Sequence, residues 1–355
     1  MAYTAFLADP SHREAIARLW SDNMSDRQIA TVLDRRMHWL YDDARAGGVR
    51  TWLVKKDDTN EVVGCASMCP RNVAVDGRTI RAGLLSDFAI ARAHRVAGPA
   101  IVLQRKLVSD ASAMGFDMVF GHPNRNAIPI FRRIGYEQVG TISSWAKPLR
   151  SEKHLRKRMH PWMARFLSPA ADHVLRANDL RLLLRHGVWF RDLVLDRADA
   201  RFDDLWERGK HDKPATVQRS SDYLNWRYAD FTTARFHIFA ITERTGSRLR
   251  GYVIWREHHG LALVADVFWD GGSNVLGALL IRFARHARKH GCESVHLIVL
   301  GDRTLLPSLH AMQFFPATPD DRPVVAWAGG NPPDHLRVLL SDPARWQLFD
   351  GDLDL

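Results

Sequence analysis

The chain has 355 residues and carries 50 Lys and Arg against 40 Asp and Glu, which gives a formal net charge of +10 at pH 7. Hydrophobic residues make up 46% and charged residues 25%, a balance that is typical of folded globular proteins and excludes a disordered chain. With only three Cys, the sequence also excludes a disulfide framework and a four-Cys zinc site, and we expect no metal.

The positive charge favours an anionic partner, whether a nucleotide, a nucleic acid or an acidic surface. No apolar run reaches the ~20 residues that a membrane-spanning helix needs, and the first residues lack the pattern of a secretory leader. The sequence therefore predicts a cytoplasmic protein with no transmembrane segment.

The first 146 residues alternate between predicted strands and helices. A short strand at 3–7 precedes a helix that begins near residues 9–11, where Ser11 and Glu14 have the spacing of a capping box. A second helix is expected over 26–41. The remaining predicted strands lie at 50–55, 62–75, 79–90, 117–121 and 136–146, and the remaining helices at 98–114 and 126–134.

The next segment, residues 147–160, is strongly basic, with six Lys and Arg against one acidic residue, Glu152. One interpretation is a solvated linker or helix face, and the other is an anion-binding arm or a docking site for an acidic membrane surface. Amphipathic helices are expected from there to about residue 185.

The second half of the chain repeats the strand and helix order of the first. Helices are predicted at 202–210, 221–228, 277–290 and 304–312, and strands at 235–242, 250–256, 261–269, 294–300 and 324–327. This repeated order predicts a duplicated domain, although the two halves share little residue identity.

The stretch that indicates chemistry is 87–100, where a predicted strand runs into a long helix. The first turn of a helix has unpaired N–H groups and the positive end of the helix dipole, so it can bind an anion. Gly98 allows close approach of a ligand, Pro99 suits the first helical turn and Arg95 adds a positive charge. A diphosphate fits such a loop, but many turns of this kind contain Gly and Arg without binding one.

Residues 87–136 resemble the cofactor-binding half of the GNAT superfamily, the acyl-CoA-dependent N-acyltransferases. The family's loop reads Arg/Gln-x-x-Gly-x-Gly/Ala, and the segment from Arg95 to Ala100 matches it in full. Phe131 stands where many members carry Tyr. The family's next block is otherwise matched at Asn124, Ala127, Gly135 and Tyr136.

The resemblance implies an α/β (α+β) fold of two tandem GNAT-like domains, each a mixed, mostly antiparallel twisted sheet flanked by helices. Residues 1–146 would form the catalytic domain and 147–185 a basic linker with helices. Residues 186–355 would form a degenerate second domain that contributes to the acceptor site. At 270–277 this second half lacks the Arg-x-x-Gly signature.

The resemblance also implies a co-substrate, acetyl-CoA or another acyl-CoA, and no metal. Its pantetheine arm would pair with the edge of a strand where two parallel strands splay apart. The residues implied are Phe88, Ala89 and Ile90 for the arm, Arg95, Val96, Ala97, Gly98, Pro99 and Ala100 for the pyrophosphate, and Asn124 and Phe131 beside them.

In the mechanism implied by the family, the acceptor amine attacks the thioester directly and a backbone N–H stabilises the oxyanion. Asp87 and His122 are the candidate bases, since each ends or begins a strand beside the expected splay. Asp87 is otherwise a carboxylate that pairs with Arg81 or Arg92, and His122 a loop histidine. Phe131 cannot protonate the thiolate, so another group does so, or CoA leaves as a thiolate, which a thiol pKa of about 8.5 permits.

Tyr223, Trp226 and Arg227 lie at helical spacing and are candidate acceptor-binding residues. Aromatic rings suit a sugar or base, and Arg suits a phosphate or carboxylate. The alternative is that Tyr223 and Trp226 pack in the core. Together with residues 350–352, this segment resembles tandem GNAT-like proteins of bacterial polysaccharide and amino-sugar pathways.

The sequence thus predicts an acyl-CoA-dependent N-acyltransferase for a small, anionic amine, with a nucleotide-linked amino sugar as the leading candidate. The alternatives are another amine, such as an antibiotic, a polyamine or a protein Lys, and a catalytically silent acyl-CoA-binding module. Nucleic acid is not expected as a partner, although the basic residues at 147–158 leave it open.

Overall fold

The computed structural model describes residues 2–23, 29–95, 97–230, 234–301, 303–317 and 322–353. The strands of the described residues form two eight-stranded sheets, each flanked by helices, as predicted from the resemblance. Pairing is mostly antiparallel, since only two of the ladders between described strands are parallel, one in each sheet. The predicted fold class is therefore confirmed.

The strands of the described residues are β1 (Tyr3–Leu7), β2 (Arg50–Lys56), β3 (Val62–Val75), β4 (Arg78–Ile90), β5 (Met118–Gly121), β6 (Glu137–Thr141), β7 (Ser143–Pro148), β8 (Phe190–Leu195), β9 (Thr216–Val217), β10 (His237–Glu243), β11 (Leu249–His258), β12 (Leu261–Trp269), β13 (Ser294–Gly301), β14 (Phe315–Pro316), β15 (Pro323–Trp327) and β16 (Gln347–Phe349). The α-helices are α1 (Arg13–Asn23), α2 (Ile29–Met37), α3 (Ala97–Ala113), α4 (Ile128–Ile134), α5 (Glu152–Arg156), α6 (Pro161–Leu182), α7 (Ala200–Gly209), α8 (Ser221–Leu224), α9 (Ser273–Lys289), α10 (Leu305–Ala311) and α11 (Asp334–Ser341).

The first sheet has the strand order β1-β2-β3-β4-β5-β15-β6, with β9 paired to β3. Alternate side chains of each strand face opposite layers of helices. Thus Leu53 packs in one core with residues of α1, while Trp52 packs in another core with residues of α3. The helices α1 and α2 therefore cover one face of this sheet, and α3 and α4 cover the other.

The second sheet has the order β14-β7-β13-β12-β11-β10-β8, with β16 paired to β13. Its meander β10-β11-β12, followed by α9 and the parallel strand β13, repeats the arrangement β2-β3-β4-α3-β5 of the first sheet. The core between α9 and this sheet is formed by residues such as Leu279, Phe283 and Val253.

The chain passes between the two sheets at three strands, β7, β9 and β15. The predicted single strand at 136–146 is in fact two strands, of which β6 lies in the first sheet and β7 in the second. In return β15, from near the end of the chain, lies between β5 and β6 of the first sheet. The two sheets are thus joined by exchanged strands.

The start of the first helix differs from the sequence prediction. The predicted Ser11–Glu14 capping box is wrong, because Asp9 is the cap and its carboxylate accepts from the Ser11 N–H at 2.9 Å. A short 3-10 turn, Pro10–His12, then precedes α1. Asp9 precedes the first turn, where its side chain can accept from the free N–H groups, and Asp is as good an N-cap residue as Ser.

Candidate active site

The site is built around a gap between two parallel strands. β4 pairs with β5 only from Ala82–Met118 to Leu84–Phe120, although β4 runs on to Ile90. Past this point the two strands diverge and border a cleft of about 270 Å³. The cleft is lined by Leu85, Ser86, Asp87, Phe88, His122, Pro123, Asn124, Ala127 and Phe131.

A β-bulge in β4 lies at this cleft. In the ladder with β3, Cys65 faces Ala89 and Ser67 faces Ser86, so Asp87 and Phe88 together oppose a single residue. Asp87 has a φ of +51°, a left-handed conformation that costs a non-Gly residue on the order of 1–3 kcal/mol. A bulge interrupts the regular ladder and redirects the backbone, so peptide groups that leave the ladder lie beside the cleft.

The carboxylate of Asp87 is buried, and it binds side chains on the side of the sheet that α2 covers. Arg36 donates to it at 2.6 Å, and the Tyr41 hydroxyl donates at 3.5 Å. Burial and the negative charge of Asp87 raise the pKa of Tyr41 well above its ordinary value. The sequence had suggested Arg81 or Arg92 as the partner of Asp87, and the structure shows that the partner is Arg36.

His122 lies at the opposite wall of the cleft, directly after β5, and is partly exposed. The partly buried carboxyl of Asp350, near the end of the chain, is close enough to His122 to interact with it electrostatically. Burial raises the pKa of Asp350, and the positive charges of Arg322 and Arg227 oppose that effect. The C-terminal segment therefore contributes charge to the surroundings of His122.

The predicted pyrophosphate loop lies at the start of α3. The Arg95 guanidinium donates to the Ile90 carbonyl at 3.1 Å and to Asn23 at 3.2 Å, so it ties the loop to the end of β4. Gly98 is exposed, and a Cβ placed there would meet nothing closer than the Tyr3 ring at 3.9 Å. The protein itself leaves this space open, whereas Pro99 and Ala100 are buried. Val96 and the side chain of Ala97 lie outside the described residues.

The later block of the predicted site packs against the other wall of the cleft. Asn124 is exposed, and its side chain accepts from the Ala127 N–H at 3.1 Å, which orders the turn before α4. Phe131 is 2% exposed and makes edge contacts with Phe88 and Tyr136. The Tyr136 hydroxyl donates to the Gln104 side-chain oxygen at 3.4 Å, in the layer between α3 and the sheet. Phe131 and Phe88 thus give the cleft an aromatic wall.

The corresponding gap in the second sheet is filled by the chain itself. β12 pairs with β13 only up to Val264–Leu297. Beyond it, β16 pairs with β13 from Val299–Phe349 to Gly301–Gln347. An acyl-CoA arm would need the position that β16 holds, so the geometry favours the first sheet as the site.

The three predicted acceptor residues lie where the two sheets meet. Trp226 is fully buried and Arg227 is 2% exposed, with its guanidinium donating to the Gly351 and Leu353 carbonyls at 2.9 and 2.7 Å. Tyr223 is partly buried beside them, 5.8 Å from Trp226 between ring centroids. For Trp226 this position fits the alternative of core packing, and Arg227 holds the C-terminal segment in place.

Sequence reasoning missed Arg36 and Tyr41 as partners of Asp87, and it did not connect Asp350 with His122. No local pattern indicates these contacts, because Arg36 and Asp87 are 51 positions apart. Within the ranges that the structure describes, no group of three or more potential metal ligands occurs. Over the same residues, no helix is long and apolar enough to cross a membrane.

Comparison with known proteins agrees with this geometry. Residues 7–139 match the family model of the acetyltransferase (GNAT) domain. A search of curated proteins finds no sequence that matches this chain.

Solved structures with the same fold include three that cover most of this chain. A probable N-acyltransferase from Enterococcus faecalis is 12% identical, with a TM-score of 0.64 over 92% of this chain and 72% of its own. A GCN5-related N-acetyltransferase from Anabaena variabilis is 11% identical, with a TM-score of 0.63 over 92% and 73%. The N-myristoyltransferase of Saccharomyces cerevisiae, solved with myristoyl-CoA, is 9% identical, with a TM-score of 0.55 over 94% and 85%.

At these identities the structures show that the fold is shared. The cleft, the bulge and the loop before α3 all lie inside or beside the matched segment. Residues 7–139 therefore match the GNAT acetyltransferase domain, in a chain whose two sheets share the fold of solved N-acyltransferases.

Proposed function

We propose that this protein transfers an acyl group from acyl-CoA to the primary amine of a small acceptor, and that the cleft between β4 and β5 is where the thioester binds. The observation that carries the proposal is the divergence of these strands past Leu84 and Phe120, beside a bulge at Asp87. A diverged pair of parallel strands presents backbone groups that an extended pantetheine arm can use as a strand partner.

The residues around the cleft suit the parts of an acyl-CoA. The open space at Gly98, at the first turn of the 17-residue helix α3, lets a pyrophosphate approach the helix N-terminus. Phe88, Ala89 and Ile90 would run beside the pantetheine arm, and Asn124 and Phe131 would line the opposite wall. The 270 Å³ of the cleft is enough for a short acyl group and the thioester.

The chemistry needs a proton acceptor and a leaving thiolate. As the amine attacks, a C–N bond forms and the C–S bond breaks, and the sulfur leaves with the electron pair. His122 is the candidate base that the cleft exposes, since it is partly accessible while Asp87 is buried against Arg36. We assign Asp87 to positioning the bulge, with His122 taking the proton directly or through a water. Phe131 has no proton to give, so CoA leaves as the thiolate.

For the acceptor, we propose an anionic amine, with a nucleotide-linked amino sugar as the leading candidate. The support is the net charge of +10 and the positive groups close to Asp350, among them Arg322 and Arg256. A polyamine suits this charge less well. Tyr223, the partly exposed member of its group, is the acceptor-site residue that we retain from the sequence.

Isothermal titration of the purified protein with acetyl-CoA and longer acyl-CoAs tests the first step. Release of free CoA thiol is then measured with a panel of a nucleotide-linked amino sugar, the free amino sugar, a polyamine and a Lys peptide. We expect micromolar binding at one site and turnover with the nucleotide-linked sugar. Binding without turnover on any amine would favour the silent module, and no binding at millimolar acyl-CoA would contradict the proposal.

A further inference from the structure

Helix α6 carries large apolar side chains on its solvent side. Trp162 and Phe166 are 66% and 79% exposed, and Leu180 and Leu184 are 47% and 62% exposed. Their spacing places them on one side of α6 and of the π turn Leu183–Gly187 that continues it. We call these four residues the apolar stripe. Exposed apolar surface of this extent marks an interaction site in a folded protein.

The opposite side of α6 fixes the helix to the second sheet. Asp179 is buried and forms ion pairs with Lys147 at 3.0 Å and with Arg288 at 2.5 Å. Ala164 and Ser168 are buried on the same side. The stripe therefore cannot turn inward without breaking a buried ion-pair network, and its outward orientation is part of the fold.

The surroundings of the stripe are strongly basic. Residues 150–191 contain ten Lys and Arg against three acidic residues, so this segment holds +7 of the net charge of +10. All three carboxylates are engaged within the protein, since Asp179 is ion-paired, Asp172 accepts from the Ser151 N–H at 2.7 Å and Glu152 pairs with Arg156 at 2.6 Å. On the helix itself, Arg165 and Arg176 lie on one flank of the stripe and Arg181 and Arg185 on the other.

We propose that α6 docks on the surface of an anionic lipid bilayer. An apolar stripe with Arg on both flanks is the pattern of a helix that lies in the plane of the interface, with its apolar side about 5–10 Å into the headgroup boundary. Trp and Phe suit that depth, and each Arg adds attraction to anionic headgroups. A second copy of the chain is a poorer occupant, because a symmetric contact would oppose two segments of +7.

This inference does not depend on the acyl transfer proposed above. Vesicle co-sedimentation tests it, with phosphatidylcholine vesicles compared to vesicles that also contain phosphatidylglycerol. We expect binding to the anionic vesicles only. Binding should weaken as salt is raised, because the screening length falls from about 10 Å at 0.1 M salt to about 3 Å at 1 M.

Paired variants separate the two parts of the pattern. Trp162→Ser and Phe166→Ser should each weaken binding about tenfold, from loss of buried apolar area. Arg176→Gln with Arg181→Gln should weaken it and flatten its salt dependence. Phe315→Ser removes a 55% exposed Phe on β14, outside the stripe, and should bind as the wild type does. Circular dichroism and thermal unfolding check that each variant is folded.

Three results would overturn the proposal. One is absence of binding to anionic vesicles at low salt. Another is binding that the Arg variant weakens but Trp162→Ser and Phe166→Ser leave unchanged, which indicates a general polyanion contact. The third is a dimer in analytical ultracentrifugation that Phe166→Ser dissociates, which assigns the stripe to a second copy.

Discussion

Trp39 and Trp226 hold the two halves of the molecule together through both their rings and their backbones. The rings stack with centroids 4.6 Å apart and planes 7° apart. Each indole N–H donates to the other residue's carbonyl, Trp39 to Trp226 at 2.7 Å and Trp226 to Trp39 at 3.0 Å. The Arg71 guanidinium lies 5.1 Å from the Trp226 ring centroid and adds a cation–π contact. A reciprocal pair of this kind fixes both the distance and the orientation between the two segments that carry the Trp residues.

Replacing Trp226 should therefore destabilise the protein more than replacing a Trp at an exposed site. We expect Trp226→Ala to lower the free energy of unfolding by about 3–5 kcal/mol, because it leaves a cavity and removes the indole hydrogen bond and the ring stacking. Trp162→Ala, at an exposed Trp, should change it by no more than about 0.5 kcal/mol. Urea denaturation of both variants measures the difference, and equal midpoints would contradict this role.

The open space at Gly98 separates ligand binding from stability. Gly98→Asp should leave the unfolding midpoint almost unchanged, since its Cβ meets nothing closer than 3.9 Å in the protein. The same change places a carboxylate where we propose the pyrophosphate, so we expect acetyl-CoA affinity to fall at least about a hundredfold, as like charges repel at close range. Titration calorimetry measures the affinity, with Gly330→Asp as a control at another open Gly whose φ is not positive. Unchanged affinity in Gly98→Asp would place the pyrophosphate elsewhere.

The roles proposed for His122 and Asp87 predict different responses. His122→Ala should lower kcat by about 10²–10⁴, the usual contribution of a general base, with little effect on stability. Asp87→Asn weakens the buried pair with Arg36, so it should lower stability and reduce kcat through the bulge. Steady-state kinetics combined with thermal unfolding separates the two effects. Full turnover in His122→Ala would remove it from the mechanism.

The elements that the sequence predicted well are those fixed by neighbouring residues. The hairpin between β3 and β4 forms at Asp76 and Gly77, which have φ values of +46° and +77°, as an Asp-Gly turn requires. Helix α3 ends just before Gly115, whose φ is +76°. Such signals need only a few adjacent residues, so no knowledge of the tertiary fold is required.

The parts that could not be predicted depend on contacts between distant segments. β15 reaches the first sheet by pairing Val325 with Gly121, about two hundred positions away in the chain, and no periodicity in either strand encodes that choice. The burial of Trp226 has the same origin, because helical spacing shows which residues share a face but not what covers it. Only the fold brings Trp39 against that face.

A buried ion-pair network also links the two sheets. Arg219, which follows β9, donates to Asp352 at 2.6 Å and to Asp266 on β12 at 3.1 Å, and the Tyr252 hydroxyl donates to Asp266 at 3.0 Å. Burial raises the pKa of Asp266 to about 6, even with the guanidinium beside it. Both carboxylates thus depend on Arg219 for their counter-charge.

Removing Arg219 should be strongly destabilising. Arg219→Met leaves Asp266 and Asp352 buried without a cation, and we expect a loss of about 3–5 kcal/mol in unfolding free energy. Arg197→Met, which breaks the more exposed pair with Asp230, should cost no more than about 1 kcal/mol. Combining Arg219→Met with Asp266→Asn and Asp352→Asn should recover part of the loss. Denaturant unfolding decides this, and equal losses in the two Arg variants would disprove the role of the network.

Stability should also depend on pH through His286, on α9. Burial, aided by the positive charge of His290, lowers the pKa of His286 to about 4, and its ring lies 4.9 Å from the Phe239 ring between centroids. Between about pH 4 and pH 6.5 the unfolded chain binds a proton at this site that the folded chain does not. The stability that the protein gains from keeping His286 neutral is therefore fully present above about pH 6.5. It is lost as the pH falls to about 4.

The half-buried position of His286 reduces this loss by solvent screening to about 1 kcal/mol. His286→Gln should remove it, so the difference in unfolding free energy between wild type and variant should shift by that amount between about pH 7 and pH 4. His258→Gln, at an exposed His that ends β11, is the matched control. Guanidinium unfolding at each pH measures the shift. If the difference between wild type and His286→Gln stays constant across this range, His286 is not the group that titrates.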